Sequence, residues 1–160
     1  MPKKKVYDGR AVLGEFIKRQ GELKPPEETV TAKRSYPWRK GLFDKQLALI
    51  DDPSKFKAAL CSRRAGKTHT CCYYMIETAF KNPNSIVAYI AITRQVAKRL
   101  MWNLLKQANR RYHIGMKFNN VELIATLKNG SQIILNGAND EADVDKLRGS
   151  GYPLVIIDEA

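Results

Sequence analysis

One short segment, from Cys61 to Thr68, constrains the fold of this chain more than any other. It reads Cys-Ser-Arg-Arg-Ala-Gly-Lys-Thr, and its last three residues are those that end a phosphate-binding loop. An apolar run at residues 56–61 leads into the segment, and a helix-compatible run at residues 66–80 follows it. Because such a loop works between a strand and a helix, the sequence predicts a first core strand, a phosphate-binding loop and a helix, in that order.

The residues of this loop have separate chemical tasks. Consecutive backbone N–H groups wrap a phosphate at the positive end of the helix dipole. Gly66 lets the backbone come close, Lys67 reaches the β- and γ-phosphates, and the Thr68 hydroxyl is a ligand for Mg²⁺. The alternative is a chance Gly-Lys-Thr, because Cys61 stands where the usual pattern has Gly. The candidate nucleotide-binding residues of the loop are Ser62, Arg63, Arg64, Ala65, Gly66, Lys67 and Thr68.

A second motif follows the apolar run at residues 154–157, where the chain continues with Asp158 and Glu159. A buried strand that ends in two carboxylates is the expected second half of a nucleotide triphosphatase site. In that interpretation Asp158 holds Mg²⁺ and Glu159 is the general base that polarises the attacking water. The alternative is a strand that ends in an acidic turn. Together the two motifs predict an ATPase or GTPase site.

Two arginines, Arg63 and Arg64, lie inside the loop, where the charge of the transferred phosphoryl group must be neutralised. An arginine placed there can act on the γ-phosphate, and such contacts contribute about 10³- to 10⁵-fold in rate in related systems. The alternative is that they bind a DNA phosphate or an acidic neighbour. We assign Arg63 to the nucleotide as a catalytic residue and leave the partner of Arg64 open.

The overall charge indicates a polyanionic partner. The chain has 28 Lys and Arg against 16 Asp and Glu, a net charge of +12 in 160 residues, which suits nucleic acid, although a soluble basic protein without that role is the alternative. The three cysteines are odd in number and form no disulfide framework, which indicates a reducing compartment such as cytoplasm. No apolar run reaches the roughly 18 residues of a membrane span, so no membrane partner is expected.

The sequence divides into a basic N-terminal arm or lobe at residues 1–40 and a domain at residues 41–160. In the second part we predict helices at 45–51, 66–80 and 94–112, strands at 85–92 and 154–157, and a hairpin turning at Asn129 and Gly130. The apolar strands suit a parallel sheet covered on both faces. Lys98, Trp102, Lys106 and Arg110 are spaced by four residues in the third helix. In a non-catalytic DNA-binding module Trp102 would stack on a base, but we favour half-buried packing as its role.

Residues 38–160 resemble the N-terminal ATPase domain of the large terminase subunit, the motor that packages DNA into capsids of tailed phages and herpesvirus-like viruses. The resemblance is carried by an ordered set of features. A helix with Gln46 precedes an arginine-rich loop, residues 87–93 resemble the family's second strand, and Asn-Gly pairs follow. Leu147-Arg148-Gly149 then precedes the Asp-Glu-Ala strand end.

This resemblance implies an α/β fold of the P-loop NTPase class (ASCE/RecA-like), a three-layer sandwich around a mainly parallel sheet. It implies ATP and Mg²⁺ as cofactors and an adenine contact from Gln46. Arg148 would be a finger offered to the ATP of a neighbouring subunit in a homo-oligomeric ring, or else a surface arginine. The implied activity is ATP-driven movement of double-stranded DNA into a procapsid. The implied partners are a portal protein and a small terminase subunit, at the portal vertex in the host cytoplasm.

The resemblance also implies elements beyond the Asp-Glu strand. One is a strand that would lie between the two strands carrying the site, so residues 41–160 would form a partial ATPase domain whose sheet is incomplete at its C-terminus. Another is a nuclease domain, so no nuclease activity is expected here and the chain alone would have little or no ATP turnover. The nearest alternative is a helicase or translocase of the P-loop type, which shares the loop, the Asp-Glu-Ala and an upstream Gln.

Overall fold

The structure, a computed structural model, describes residues 36–138 and 151–158. Three features considered above lie outside the described residues: the basic N-terminal part up to residue 35, the Leu147-Arg148-Gly149 segment and Glu159. The described residues all belong to one compact unit, Ser35–Ala160. The division of the chain after residue 40 stays a prediction.

The helices that flank the loop form where the sequence predicts them. A 3₁₀ helix, Pro37–Gly41, is followed by α1, Asp44–Asp51, and by α2, Lys67–Lys81. Helix α1 begins where the Gln46 side chain accepts a hydrogen bond from the Phe43 N–H at 2.9 Å, which satisfies one of the N–H groups left unpaired at a helix start. Trp38 of the 3₁₀ helix is 3% exposed and stacks on Tyr36 at 4.9 Å between ring centroids.

Strand β1, Ile86–Ala91, leads into one long helix, α3, as predicted. The helix consists of α-helical Arg94–Ala97, a π-helical segment, Lys98–Trp102, and α-helical Asn103–Tyr112. It begins at Thr93, whose hydroxyl accepts a hydrogen bond from the Val96 N–H at 3.1 Å, the usual task of an N-cap threonine. Trp102, at the end of the π segment, is buried in the core with 3% exposure.

The predicted hairpin is present, with a different turn. Strands β2, Lys117–Asn119, β3, Ile124–Thr126, and β4, Gln132–Gly137, run antiparallel in sequence order, and β2 is an addition to the predicted strands. The Gly130 N–H donates to the Leu127 carbonyl and the Leu127 N–H donates to the Ser131 carbonyl, so the loop has three residues. Of its residues only Gly130 has a positive φ, of 81°. The turn is therefore a three-residue loop with glycine at its left-handed position, because Asn129 uses its side chain to hold the turn.

The five strands form one mixed sheet in the order β2-β3-β4-β1-β5, with β5 at Leu154–Ile157. Its centre is parallel: β1 pairs with β4 on one side and with β5 on the other, and Val87 lies opposite both Ile133 and Leu154. Parallel strands place their carboxyl ends at the same edge of a sheet. The chain segments that leave β1, β4 and β5 therefore meet at one edge.

Helices α2 and α3 cover one face of this sheet. Alternate residues of the strands, such as Val87, Tyr89 and Leu135, are buried in a common core with Met75 of α2 and Met101 of α3. The opposite face differs, because Val155 and Ile157 of β5 are 43% and 63% exposed. Among the described residues the sheet is thus covered by helices on one face, and the three-layer sandwich stays a proposal.

The prediction of a first core strand at residues 56–61 is wrong. This segment belongs to no strand, and its apolar side chains Phe56 and Leu60 are 85% and 104% exposed. The physical reason is that an extended segment becomes a strand only beside a partner that takes up its backbone hydrogen bonds. Strand β5 pairs with β1, and no other strand in residues 36–138 and 151–158 pairs with the free edge of β5.

Candidate functional site: a nucleotide-binding loop facing Asp158

The loop before α2 offers a run of unpaired backbone donors. The backbone N–H groups of residues 63–69 donate to no acceptor within the described part of the chain. The first backbone N–H group of α2 that donates a hydrogen bond is that of Thr70, to the Gly66 carbonyl at 3.0 Å. Arg64 and Gly66 have positive φ values of 63° and 79°. Alternation of right- and left-handed backbone turns successive N–H groups toward one side. The segment can therefore surround an anion at the positive end of α2.

Gln46 of α1 contacts this loop directly. Its Nε2 donates to the Gly66 carbonyl at 3.3 Å and to the Ala65 carbonyl at 3.5 Å, while its Oε1 accepts from the Phe43 N–H. A Cβ added to Gly66 would lie 2.5 Å from Gln46 Nε2, so another residue there would displace the Gln46 side chain and strain the backbone at a φ of 79°. Gln46 thus holds the loop, and its contact with adenine stays a prediction.

Asp158 lies directly after β5, at the edge where the parallel strands end. Its N–H continues the ladder by donating to the Ile90 carbonyl at 2.9 Å. The Tyr89 hydroxyl of β1 donates to Asp158 Oδ2 at 2.6 Å. Tyr89 is fully buried, so this bond supplies the partner that a buried phenol requires. It also fixes the orientation of the carboxylate.

Helix α2, which begins directly after the loop, packs against β5, which ends directly before Asp158. The pKa of the Cys71 thiol, one turn into α2, is raised to about 11, mainly by burial and also by the negative charge of Asp158, while the positive charge of Lys67 opposes the rise. Electrostatic effects of this kind weaken with distance. Lys67 and Asp158, which are 91 positions apart in the sequence, therefore act on the same small region.

A network of charges joins the segment that carries Gln46 to α2. The Arg39 guanidinium donates to both oxygens of Glu77, from Nε at 2.9 Å and from Nη2 at 2.6 Å, and to both oxygens of Asp51 at 3.0 and 2.7 Å. The Glu77 side chain is 1% exposed and also pairs with Lys81 at 2.7 Å. Burial opposes ionisation of Glu77, but the hydrogen bonds from Arg39 and Lys81 outweigh it and hold the pKa of this carboxyl below its ordinary value.

A second link between α1 and α2 comes from Lys57. Its ammonium donates to the Leu49 carbonyl at 2.9 Å, near the C-terminal end of α1, and to the Tyr74 hydroxyl of α2 at 3.0 Å. A cation at the C-terminal end of a helix is favoured by the helix dipole. Arg39 and Lys57 together fix α1 against α2, and this arrangement keeps Gln46 beside the loop.

The residues proposed to bind Mg²⁺ fit that ion chemically. Magnesium takes oxygen ligands and retains several waters, so one or two protein ligands suffice. Thr68 supplies a hydroxyl in the first turn of α2, and Asp158 has Oδ1 in addition to the Oδ2 that Tyr89 engages. A group of three or more His, Cys, Asp or Glu side chains that could hold a metal does not occur among the described residues. The donor set therefore suits a metal that is bound together with phosphates.

The structure shows no side-chain partner for the other predicted site residues of the loop within residues 36–138 and 151–158. Ser62, Arg63, Arg64 and Ala65 are exposed. The side chains of Arg63 and Arg64 contact no acceptor in residues 36–138 and 151–158, so the assignment of Arg63 to the nucleotide stays a prediction. Two further predicted catalytic residues, Glu159 and Arg148, lie outside the described residues.

The structure decides between the two roles considered for Trp102 in the row of residues spaced by four. Trp102 is 3% exposed, packs edge-on against Phe118 at 5.2 Å and donates from Nε1 to Asn120 at 3.1 Å. It is a core residue and cannot stack on a base, so packing is the role observed. Lys106 of the same row lies over the Trp102 ring at 5.5 Å.

Four residues that shape this site are not identified by the sequence patterns: Arg39, Lys57, Glu77 and Tyr89. Each is a polar residue inside or beside an apolar run, and only the fold shows which partner it meets. A usable signal is present at Tyr89 and Glu77, since a buried phenol or carboxylate in the middle of an element requires a partner. The partner of Tyr89 is Asp158, which is already a candidate site residue. The partner of Glu77 is Arg39, one of two cations just before α1.

Comparisons with known proteins agree on one family. The family model described as "Terminase large subunit, T4likevirus-type, N-terminal" matches residues 58–160. Among curated protein sequences, none matches this chain significantly. No helix in the described part of the chain is long and apolar enough to cross a membrane.

Two solved structures share the fold. The large terminase of a thermophilic bacteriophage has a TM-score of 0.58 and 22% identity, over 72% of this chain and 32% of that chain. The large terminase ATPase domain of Thermus phage P74-26 has a TM-score of 0.57 and 20% identity, over 70% of this chain and 51% of that domain. This chain thus spans about a third and about half of the two solved chains. Since the family model covers both the loop and the strand that ends in Asp158, the chain belongs to the family of T4likevirus-type terminase large subunits and carries its N-terminal part.

Proposed function

We propose that this chain forms the nucleotide-binding part of a motor that hydrolyses ATP to move double-stranded DNA into a viral procapsid. The observation that carries the proposal is that α2, which begins directly after the predicted phosphate-binding loop, packs against β5, which ends directly before Asp158. The family supports the proposed use of ATP, because a solved neighbour is itself a large terminase ATPase domain. Hydrolysis, translocation and assembly are all part of the proposal.

In the proposed site the described residues bind and orient the nucleotide. The N–H groups of residues 63–69 surround the phosphates, and Lys67 places its charge on the β- and γ-phosphates. When bound, Mg²⁺ neutralises charge on these phosphates; Thr68 and Asp158 would hold it, and Tyr89 keeps the Asp158 carboxylate oriented. Arg63 would act on the γ-phosphate from within the loop. Glu159, which follows Asp158 directly, would take the proton of the attacking water.

The partners follow from the family and from the charge. The net charge of +12 suits duplex DNA. The chain would assemble into a homo-oligomeric ring, in which Arg148 is offered to the ATP site of the neighbouring subunit. The ring would contact a portal protein and a small terminase subunit at the portal vertex in the host cytoplasm. A helicase is not favoured, because the family model and both solved neighbours are large terminases.

The test is the affinity of the chain for ATP in the presence of Mg²⁺, measured by isothermal titration calorimetry on the wild type and on Lys67→Ala. A hydrogen bond to a charged group contributes about 1.5–3 kcal/mol, so Lys67→Ala should weaken ATP binding by roughly 10- to 150-fold. The matched control is Lys55→Ala, which removes the same charge from an exposed position outside the loop and should bind like the wild type. Equal affinity of all three proteins would remove the nucleotide-binding proposal.

A further inference from the structure

Helix α3 carries a strongly cationic outer surface. Residues 78–121 contain eight Lys or Arg and no Asp or Glu, and six of these cations lie in the helix. We call the set Lys98, Arg99, Lys106 and Arg110 the cationic face of α3. Lys98, Arg99 and Arg110 are exposed and Lys106 is half-buried. Residues such as Ala97, Met101, Leu105 and Ala108 are buried against the core, so the cationic face points away from it.

The composition of this face differs from that of an ordinary solvated helix. Surface helices usually mix both signs of charge, so that oppositely charged residues four positions apart attract each other. Here Lys106 and Arg110 are four positions apart and repel, and the exposed residues between the cations are the amides Asn103 and Gln107. Lysine, arginine, asparagine and glutamine are among the side chains that contact DNA phosphates.

The cations have few partners within the protein. Lys98, Arg99 and Arg110 have no hydrogen bond or ion pair with any residue that the structure describes, and only Lys106 is held, by Asn120 at 2.8 Å and over the Trp102 ring at 5.5 Å. From Lys98 to Arg110 the helix rises about 18 Å, at about 1.5 Å per residue. Successive phosphates of one DNA strand rise by about 3.4 Å, so the face spans about five of them.

We infer that the cationic face of α3 binds the sugar–phosphate backbone of duplex DNA without reading its sequence. The inference rests on the proposed function for the identity of the polyanion. It adds the surface that meets the DNA, which neither the family match nor the nucleotide site specifies. An acidic protein surface would be the competing occupant, and the test separates the two.

The test measures binding of the whole chain to a fluorescein-labelled duplex of about 30 base pairs, long enough to cover the face several times over, by fluorescence anisotropy over a series of KCl concentrations. The variant K98Q/R99Q/R110Q is compared with K40Q/K45Q/K55Q, whose three lysines are also exposed. Both variants have a net charge of +9, which is the wild-type +12 less three. Because both retain the basic N-terminal residues, any contribution from those residues is the same in each.

The slope of log K against log salt decreases in magnitude by about 0.9 for each phosphate that the protein no longer neutralises. The face variant should therefore have a slope smaller by about 2.7 and bind more weakly, and the control should keep the wild-type slope. A charge-conserving variant, K98R/R99K/R110K, should also keep it, and circular dichroism melts of all four proteins should agree.

Equal slopes for the face variant and the control would overturn the inference and leave an acidic protein as the occupant. ATP affinity, measured in parallel, should be unchanged in the face variant. Failure of the DNA inference is therefore distinct from failure of the nucleotide site, which Lys67→Ala tests separately.

Discussion

The ion pair between Arg39 and Glu77 should contribute more to stability than the ion pair between Arg39 and Asp51, although one guanidinium makes both. The Glu77 side chain is 1% exposed and the Asp51 side chain is 36% exposed. A charge left unpaired in the interior destabilises by about 3–5 kcal/mol, whereas exposed pairs contribute about 0.2–1 kcal/mol. The perturbation is Arg39→Met, which keeps much of the length of the side chain and removes its charge.

The magnitude follows from what remains around Glu77. Lys81 still reaches the carboxylate at 2.7 Å, but its side chain is 54% exposed, so its compensation is partial. We therefore expect Arg39→Met to lower the free energy of unfolding by about 3 kcal/mol, near the lower end of the range for a broken buried pair. Two double-mutant cycles separate the contributions: Arg39→Met with Glu77→Gln, and Arg39→Met with Asp51→Asn.

The assay is urea unfolding at pH 7 followed by circular dichroism, with the free energy taken by linear extrapolation. The coupling between residues 39 and 77 should be about 1.5–3 kcal/mol, the range for hydrogen bonds to charged groups, and that between residues 39 and 51 should stay below about 1 kcal/mol. A coupling to Glu77 no larger than the coupling to Asp51 would refute the reasoning. Since the network fixes α1 against α2, Arg39→Met should also weaken ATP binding through Gln46.

Three further predictions concern groups near the site. The pKa of Glu77 is lowered in the folded protein from an ordinary value of 4.5. The ionised Glu77 therefore stabilises the fold above that pH, and this stabilisation is lost as the pH falls through the folded pKa. In acid-unfolding curves, Glu77→Gln should flatten the dependence of stability on pH below pH 4.5. Tyr89→Phe should lower the free energy of unfolding in urea by about 1 kcal/mol. It should also reduce the effect of Mg²⁺ on ATP affinity, since Asp158 loses the donor that orients it. An unchanged dependence of ATP affinity on Mg²⁺ would contradict this prediction. Burial raises the pKa of Cys72 to about 12, so at pH 8 iodoacetamide should modify exposed Cys61 well before Cys72, as read by mass spectrometry of the intact protein and its peptides.

Sequence patterns predict those elements whose periodicity is set by local chemistry. Helices α1 and α2, strands β1 and β5 and the hairpin are within a few residues of their predicted positions, because their apolar spacing, caps and turn residues act over short distances. The patterns also single out the loop at residues 61–68 and Asp158, whose role in binding a nucleotide stays a prediction. The family assignment made from their order in the chain is confirmed by the match over residues 58–160.

The errors have a common physical origin in contacts between distant parts of the chain. The apolar run at residues 56–61 has the composition of a core strand, but a strand depends on a neighbour that sequence pattern does not supply. Arg39 and Glu77 are 38 positions apart, and no local rule joins them. The contacts of Gln46 with the loop carbonyls likewise arise only from the packing of α1 on α2.

The central claim is that the loop and Asp158 form a single site for ATP and Mg²⁺. Its most direct test is the coupling between the two ligands, measured by calorimetric titration of ATP with and without Mg²⁺ into the wild type, Lys67→Ala and Asp158→Asn. We expect Mg²⁺ to increase the ATP affinity of the wild type, Asp158→Asn to bind ATP but lose most of this increase, and Lys67→Ala to bind ATP weakly in both conditions. An increase of wild-type size in Asp158→Asn would contradict the claim.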